Sequence, residues 1–149
     1  MKIMNWKEGV IAILSAIGAI MTSIFGGWDS ALQTLIIFMV LDYISGLIVA
    51  GFFHASPKTK NGALESKVGW KGLCRKGGSL LIVLIAYRLD LLAGTCYIRD
   101  AAVIAFIVNE GISIIENVGC MGIPIPSVIA ESIEMLSSKN KKMMIGSTD

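Results

Sequence analysis

Charged residues are few in this sequence. Asp, Glu, Lys and Arg together make up 16% of the 149 residues, whereas soluble domains carry about 25%. Apolar residues make up 54% of the chain. This composition predicts a membrane protein. The length is sufficient for one small bundle of spanning helices, and no second domain is expected.

Histidine and cysteine are also scarce, and this argues against catalytic and metal sites. His54 is the one histidine, and Cys74, Cys96 and Cys120 are widely separated, with no C-x-x-C pair among them. Such spacing gives no metal or redox motif. A serine nucleophile would need a histidine and an orienting acid nearby, and the sequence groups no such set. We therefore expect neither an enzyme nor a bound cofactor or metal.

Four long apolar runs dominate the chain, and each approaches the roughly 20 residues that a helix needs to cross a bilayer. They lack the alternation of a barrel strand, so the prediction is an all-α integral membrane protein, a small bundle of four transmembrane helices. The first run could instead be a signal peptide, although no small-x-small cleavage site follows it, and three spans remain the alternative. The runs cover residues 9–25, 31–53, 77–98 and 101–123.

The short connections "FGGWDS" and "IRD" force neighbouring runs to be antiparallel. With four spans, these two loops lie on one face of the membrane. The Lys- and Arg-rich segments then lie on the other face: Lys2 and Lys7, a link over 54–76, and a tail over 127–149. The excess of positive charge on cytoplasmic loops predicts that both termini are cytoplasmic.

The basic link is predicted to contact the membrane surface rather than nucleic acid. Anionic lipid headgroups attract Lys and Arg clusters next to membrane spans. A Trp within such a cluster suits the interface between headgroups and hydrocarbon. The residues expected to make these contacts are Lys58, Lys60, Lys67, Trp70, Lys71, Arg75 and Lys76.

Four charges fall near the middle of the predicted spans, at similar depth: Asp42, Arg88, Asp90 and Glu110. An Arg or Asp at a helix centre costs about 2.5–3.5 kcal/mol to insert, so these groups need partners. They could form an internal ion pair that holds the bundle together, or they could line a hydrated path. Asp42 and Arg88 lie equally far into antiparallel spans and are the predicted pair, with Asp90 as the competing partner of Arg88.

Spacing places polar residues on one face of the fourth span and small residues on one face of the second. Asn109, Ser113, Glu116 and Asn117 recur at helical spacing with Glu110 at the border of the stripe, which predicts a lining. In the second span, Gly46 and Ala50 follow Asp42 at intervals of four, with Ser45 beside them. Such a face favours close helix packing, either within one chain or between copies.

After Pro124 and Pro126, the tail is predicted to form a short amphipathic helix. Its apolar side carries Ile129, Ile133 and Leu136, with Glu131 and Glu134 away from it, followed by the basic run "KNKK". Such a helix is expected to lie on the cytoplasmic membrane surface or to self-associate.

Three segments, in this order, resemble the toxin-secretion/phage-lysis holin family of Gram-positive phages and clostridial toxin loci. They are "LDYISGLIVA" at 41–50, "ESKVGWKGLCRKGG" at 65–78 and "NEGISIIENVGCMGIPIP" at 109–126. The Asp-Tyr-x-Ser-Gly element and the Asn-Glu, Glu-Asn and Gly-x-Pro-x-Pro series are specific in combination. The resemblance covers about residues 30–138, and the first span is its least distinctive part.

The resemblance implies a multi-pass protein of the bacterial (host) cell membrane that assembles as a homo-oligomer. A protein of this family forms a lesion that collapses the membrane potential and lets an endolysin, or in some systems a toxin, cross the membrane. Two other classes stay open on the residues alone. A small ion- or proton-conducting channel would use the same carboxylates in a narrow path, and a structural subunit of a membrane complex would use them for packing.

Overall fold

The computed structural model describes residues 5–145, and it consists of five α-helices joined by short connections. The predicted all-α class is confirmed, and no strand occurs within these residues. Lys2 of the predicted N-terminal basic region and residues 146–149 of the predicted tail lie outside the described part. The helices are α1 (Trp6–Phe25), α2 (Ser30–Ile48), α3 (Ser66–Ala93), α4 (Ile98–Cys120) and α5 (Ser127–Ile145), and α2 continues as a π-helical turn over Val49–Phe53.

Three helices of the described chain are long and apolar enough to cross a membrane. They are α1, α2 together with its π-helical turn, and α4. Helix α3 has 28 residues and is also long enough, but it combines a basic first part with an apolar second part and carries Lys76, Arg88 and Asp90. It begins at Ser66, so much of the predicted link 54–76 is helix rather than loop.

The core lies where α2 and α4 pack against each other and against α3. Leu32, Leu35 and Met39 of α2 meet Val83 of α3 and Val103 of α4 in one buried cluster. The turn before α2 is fixed by Asp29, whose Oδ1 accepts a hydrogen bond from the Leu32 N–H at 2.8 Å. An Asp at this position satisfies a backbone donor that the helix itself leaves free.

Helix α1 is joined to the bundle through its C-terminal end. Phe25 is buried in the core, with Met21 and Ile24 packed beside it, whereas most of the helix is exposed. An apolar helix with so little protein contact suits an environment of lipid. The chain leaves α1 through Gly26 at φ +79°, where a Cβ would lie 2.4 Å from the Tyr87 ring, so only glycine fits.

Helix α5 folds back and packs against α4 in the same chain. A Cβ on Gly111 of α4 would lie 3.0 Å from Ile133 Cδ1 and 3.4 Å from Phe38 Cε2, so the glycine admits both side chains. Ile129 and Leu136 remain 49% and 39% exposed. Sequence pattern predicts a helix on the membrane surface or one that self-associates. The structure instead shows that Ile133 contacts α4 of the same chain. The apolar stripe alone does not distinguish this contact from binding to the membrane surface or to another copy.

We predict that Gly111→Val weakens the docking of α5. The added methyl groups would crowd Ile133 and Phe38, and overpacking of this kind costs about 1–3 kcal/mol. The control is Gly18→Val, because a Cβ at Gly18 has no neighbour within 4 Å. Thermal unfolding of the detergent-solubilised protein measures both variants, and Ile133→Ala should partly rescue Gly111→Val. Equal melting temperatures for the two glycine variants would contradict the close α4–α5 contact.

Candidate functional site

A buried charged cluster joins α2, α3 and α4. The Nζ of Lys76 lies 2.8 Å from Asp42 Oδ2 and also donates a hydrogen bond to Glu110 Oε2. The side chains of Lys76, Asp42 and Glu110 are 12%, 10% and 7% exposed. One ammonium group therefore pairs with carboxylates from two different helices. The formal charge of the three groups together is minus one.

Asn117 of α4 completes the cluster by holding Asp42. Its Nδ2 donates to Asp42 Oδ1 at 3.0 Å, to the Asp42 carbonyl oxygen at 3.2 Å and to Ser45 Oγ at 2.9 Å. A Cβ on Gly46 would lie 3.6 Å from the same nitrogen, so a small residue there lets the two helices approach. Ala50, one turn further along α2, is also buried. The small-residue face of α2 thus lies against α4 within one chain.

The predicted pairing of Asp42 with Arg88 is wrong, because Asp42 pairs with Lys76. Because α3 starts at Ser66, Lys76 already lies inside the bundle, although the sequence pattern groups it with the surface cations. Arg88 lies 12 residues further along α3, a rise of about 18 Å. It is exposed and has no ion-pair or hydrogen-bond partner within residues 5–145.

Asp90 is also placed differently from its predicted position at the depth of Asp42, as a competing partner of Arg88. It lies in the last turn of α3, and its carboxylate accepts hydrogen bonds from Thr95 Oγ1 at 2.6 Å and from the backbone N–H groups of Ile98 and Arg99 at 3.1 and 2.8 Å. Asp90 therefore caps the N-terminus of α4, where orphan N–H groups and the helix dipole favour a carboxylate. It is not a partner of Arg88.

Arg99 forms a second charged cluster, at the end of the bundle where the α1–α2 and α3–α4 connections lie. Its Nε donates to the Phe25 carbonyl oxygen and its Nη1 to Asp29 Oδ2, both at 2.6 Å, and Nη1 also reaches Asp100 Oδ1 at 3.1 Å. The hydrogen bond from Arg99 lowers the pKa of Asp29 below its ordinary value. These contacts bring the α1–α2 and α3–α4 connections together at one end of the bundle.

Sequence patterns did not identify Arg99 as a site residue. The signal is nonetheless present in the two short loops that are predicted to share a face. One loop carries Asp29, and the other carries Arg99 and Asp100. Opposite charges in loops that share a face are candidates for an ion pair.

A groove of about 810 Å³ opens beside the Lys76 cluster, between α2, α3, α4 and the segment 54–65. Four polar residues of α4 line it: Asn109, Glu110, Ser113 and Asn117. Glu116 is exposed and lies outside the lining. Of the predicted surface cations, Lys58, Lys71, Arg75 and Lys76 line the groove, whereas Lys60, Lys67 and Trp70 do not. Over residues 5–145, no cluster of His, Cys, Asp and Glu has the composition of a metal site.

Apolar helices that hold their charges in internal clusters define a small all-α membrane protein. The chain belongs to the bacteriophage holin family, whose model matches residues 19–138. This match confirms the family membership predicted from the three motifs. The family match omits most of α1. No solved structure matches the chain.

Relatives occur in several Gram-positive bacteria and in a phage. An uncharacterized protein of Clostridium perfringens is 35% identical, over 89% of this chain and 97% of the relative. An uncharacterized protein of Listeria monocytogenes is 39% identical, over 83% of each chain. A protein named as a probable holin in Bacillus phage phi105 is 32% identical, over 73% of this chain and 76% of the relative. Family membership and the phage relative support a holin role and a membrane location.

We predict that Lys76→Met lowers the amount of protein that accumulates in the membrane. The substitution leaves Asp42 and Glu110 buried without a cation, and loss of one member of a buried charged pair costs about 3–5 kcal/mol. Quantitative immunoblotting of membranes and thermal unfolding in detergent measure the effect.

The matched control is Arg88→Met, which removes the same charge from an exposed position of the same helix. It should not lower accumulation or stability, because no buried carboxylate loses its partner when Arg88 is removed. Adding Asp42→Asn and Glu110→Gln to Lys76→Met should restore part of the loss. An Arg88→Met effect as large as that of Lys76→Met would contradict the cluster as the main charged contact.

Proposed function

We propose that this chain is a holin that oligomerises in the bacterial cytoplasmic membrane and opens a lesion. The lesion would collapse the membrane potential and release an endolysin, or a toxin, from the cell. The observation that carries the proposal is the polar side of α4, which is partly neutralised inside one chain and partly left exposed. Family membership supports the same role.

The inner part of this polar side is satisfied within a single copy. Glu110 is paired with Lys76, and Asn117 is hydrogen-bonded to Asp42. Unpaired, these groups would be costly in hydrocarbon, so their pairing lets a single copy reside in the membrane. A chain built in this way can accumulate before it assembles.

The outer part of the polar side is unsatisfied. Asn109 and Glu116 are exposed on α4 and have no hydrogen-bond or ion-pair partner among the described residues. They are seven residues apart, two turns of helix, and so lie on the same side. Polar groups in this position avoid lipid by facing another copy or water. Assembly through this edge of α4 would join the grooves of neighbouring copies into a polar wall.

A four-pass arrangement with cytoplasmic termini is part of the proposal. The basic residues Lys58, Lys71 and Arg75 of the groove lie on the side of the Lys76 cluster that faces away from the Arg99 cluster. With the Lys-rich end cytoplasmic, the apolar second part of α3 would cross the remaining hydrocarbon. The contact with the α1–α2 turn would then hold Arg99 at the outer surface.

We predict that induced expression releases a co-expressed cytoplasmic peptidoglycan hydrolase that has no export signal. Asn109→Leu with Glu116→Leu should accumulate at least as well as the parent, because a polar edge is removed, yet release little hydrolase. The control pair Glu131→Leu with Glu134→Leu removes exposed carboxylates from α5 and should leave release unchanged.

Two results of the same assay would favour the other classes. Depolarisation by the parent chain without hydrolase release would indicate a narrow ion- or proton-conducting channel. Neither depolarisation nor release would indicate a structural subunit. If the Asn109 and Glu116 double variant releases as much hydrolase as the parent, the edge of α4 does not line the lesion.

We predict that only Cys96 is labelled by an impermeant thiol reagent added to intact cells. All three cysteines are exposed on the protein, so differences in labelling report the membrane rather than burial. Cys96 lies in the α3–α4 connection, on the proposed outer face, whereas Cys74 and Cys120 lie toward the cytoplasmic face. Labelling after membrane disruption provides the reference for each site. Labelling of Cys74 in intact cells would rule out the four-pass arrangement.

A further inference from the structure

Three cations at the mouth of the groove lack a counter-ion. Lys58, Lys71 and Arg75 line the groove, and none of their side chains has an ion-pair or hydrogen-bond partner in the part of the chain from 5 to 145. Lys76, next to Arg75, differs because Asp42 and Glu110 neutralise it. Glu65 is the one other carboxylate among the lining residues, so the mouth carries three positive charges against one negative charge.

The positions of these cations converge on one space. Lys71 and Arg75 are four residues apart and share a face of α3, and like charges at this spacing repel each other. Lys58, in the segment 54–65, lines the same groove. An anion held among the three would relieve their repulsion and could accept hydrogen bonds from all of them.

The walls and the surroundings of the groove favour a lipid as the source of that anion. Leu47, Leu64 and Ile82 give the groove an apolar side next to its cationic mouth. Trp70 is 68% exposed beside the mouth, and Trp side chains concentrate at the depth of the headgroups. The volume of about 810 Å³ lies within the range of about 300–1,000 Å³ that is usual for small-molecule sites.

We propose that the groove binds the phosphate of one anionic phospholipid between Lys58, Lys71 and Arg75, with the start of an acyl chain along Leu47 and Ile82. Basic pockets between membrane helices bind anionic headgroups in this way. The site requires a membrane location but not lesion formation, so its failure would leave the proposed holin function untouched. Hydrolase release tests that function separately.

Lipid binding to the purified full chain in detergent micelles tests the proposal. Phosphatidylglycerol at about 100-fold excess over its dissociation constant should raise the melting temperature by about 5 °C or more, and phosphatidylcholine should have little effect. Native mass spectrometry should show one retained phosphatidylglycerol per chain. Lys71→Gln with Arg75→Gln should abolish the difference between the two lipids.

The matched control is Lys60→Gln with Lys67→Gln, which removes the same charge from basic residues outside the groove and should keep the full shift. Equal losses in the two double variants would show diffuse surface attraction and overturn the site. An equal shift with inorganic phosphate alone would show a free-anion site and overturn the lipid assignment. If Lys71→Gln with Arg75→Gln does not fold, Lys58→Gln gives the same test, and retention of one lipid by that variant would contradict the proposal.

Discussion

The ion pairs of Lys76 with Asp42 and Glu110 are the constraint on which the rest of the bundle depends. Charged groups inside hydrocarbon must be paired, hydrated or kept out of the membrane. Here one ammonium group from α3 satisfies carboxylates from α2 and α4 at once. The three helices must therefore hold a fixed register at this level, because a shift of α3 by one turn would separate Lys76 from both partners.

Helix α4 also enters the second cluster, at the end of the bundle formed by the two short connections. Asp90 caps its first turn, and Arg99 links that turn to Asp29 before α2 and to the end of α1. Between the two clusters the contacts are apolar, with Leu35, Val83 and Val103 at the centre. Polar contacts at two levels thus set the register, and apolar packing fills the space between them. The outer edge of the polar side of α4, where Asn109 and Glu116 are exposed, remains available for contact with another copy.

Much of the fold follows from local patterns in the sequence. The apolar runs of α1, α2 and α4 are long and carry few charges, so their helical character and approximate bounds are predictable from length and hydropathy. The short loops predict antiparallel neighbours, and the contacts of Arg99 join the two loops at one end of the bundle. The same reasoning fails for α3, because the basic residues of its first half suggest a loop although Ser66 already begins the helix.

The errors at the charged site follow from that one misplaced boundary. A helix that starts at residue 77 places Arg88 at the depth of Asp42. Because α3 starts at Ser66 instead, Lys76 lies at the depth of Asp42. Asp90 is a separate case, because its capping role depends on where α3 ends, and Thr95 and the α4 backbone supply its partners. The contact of Ile133 with Gly111 could not be predicted, since an apolar stripe does not identify the surface it packs against.

The most direct test is a nitrogen–carbon distance measurement by solid-state NMR on the chain in lipid bilayers. It would use ¹⁵N-labelled lysine side chains and ¹³C-labelled Asp and Glu carboxylates, with the Lys76 signal assigned by its loss in Lys76→Arg. The account predicts that Lys76 Nζ is close enough to the carboxylate carbons of both Asp42 and Glu110 for it to donate hydrogen bonds to their oxygens. A Lys76 Nζ that contacts only water or lipid phosphorus, with neither carboxylate nearby, would contradict it.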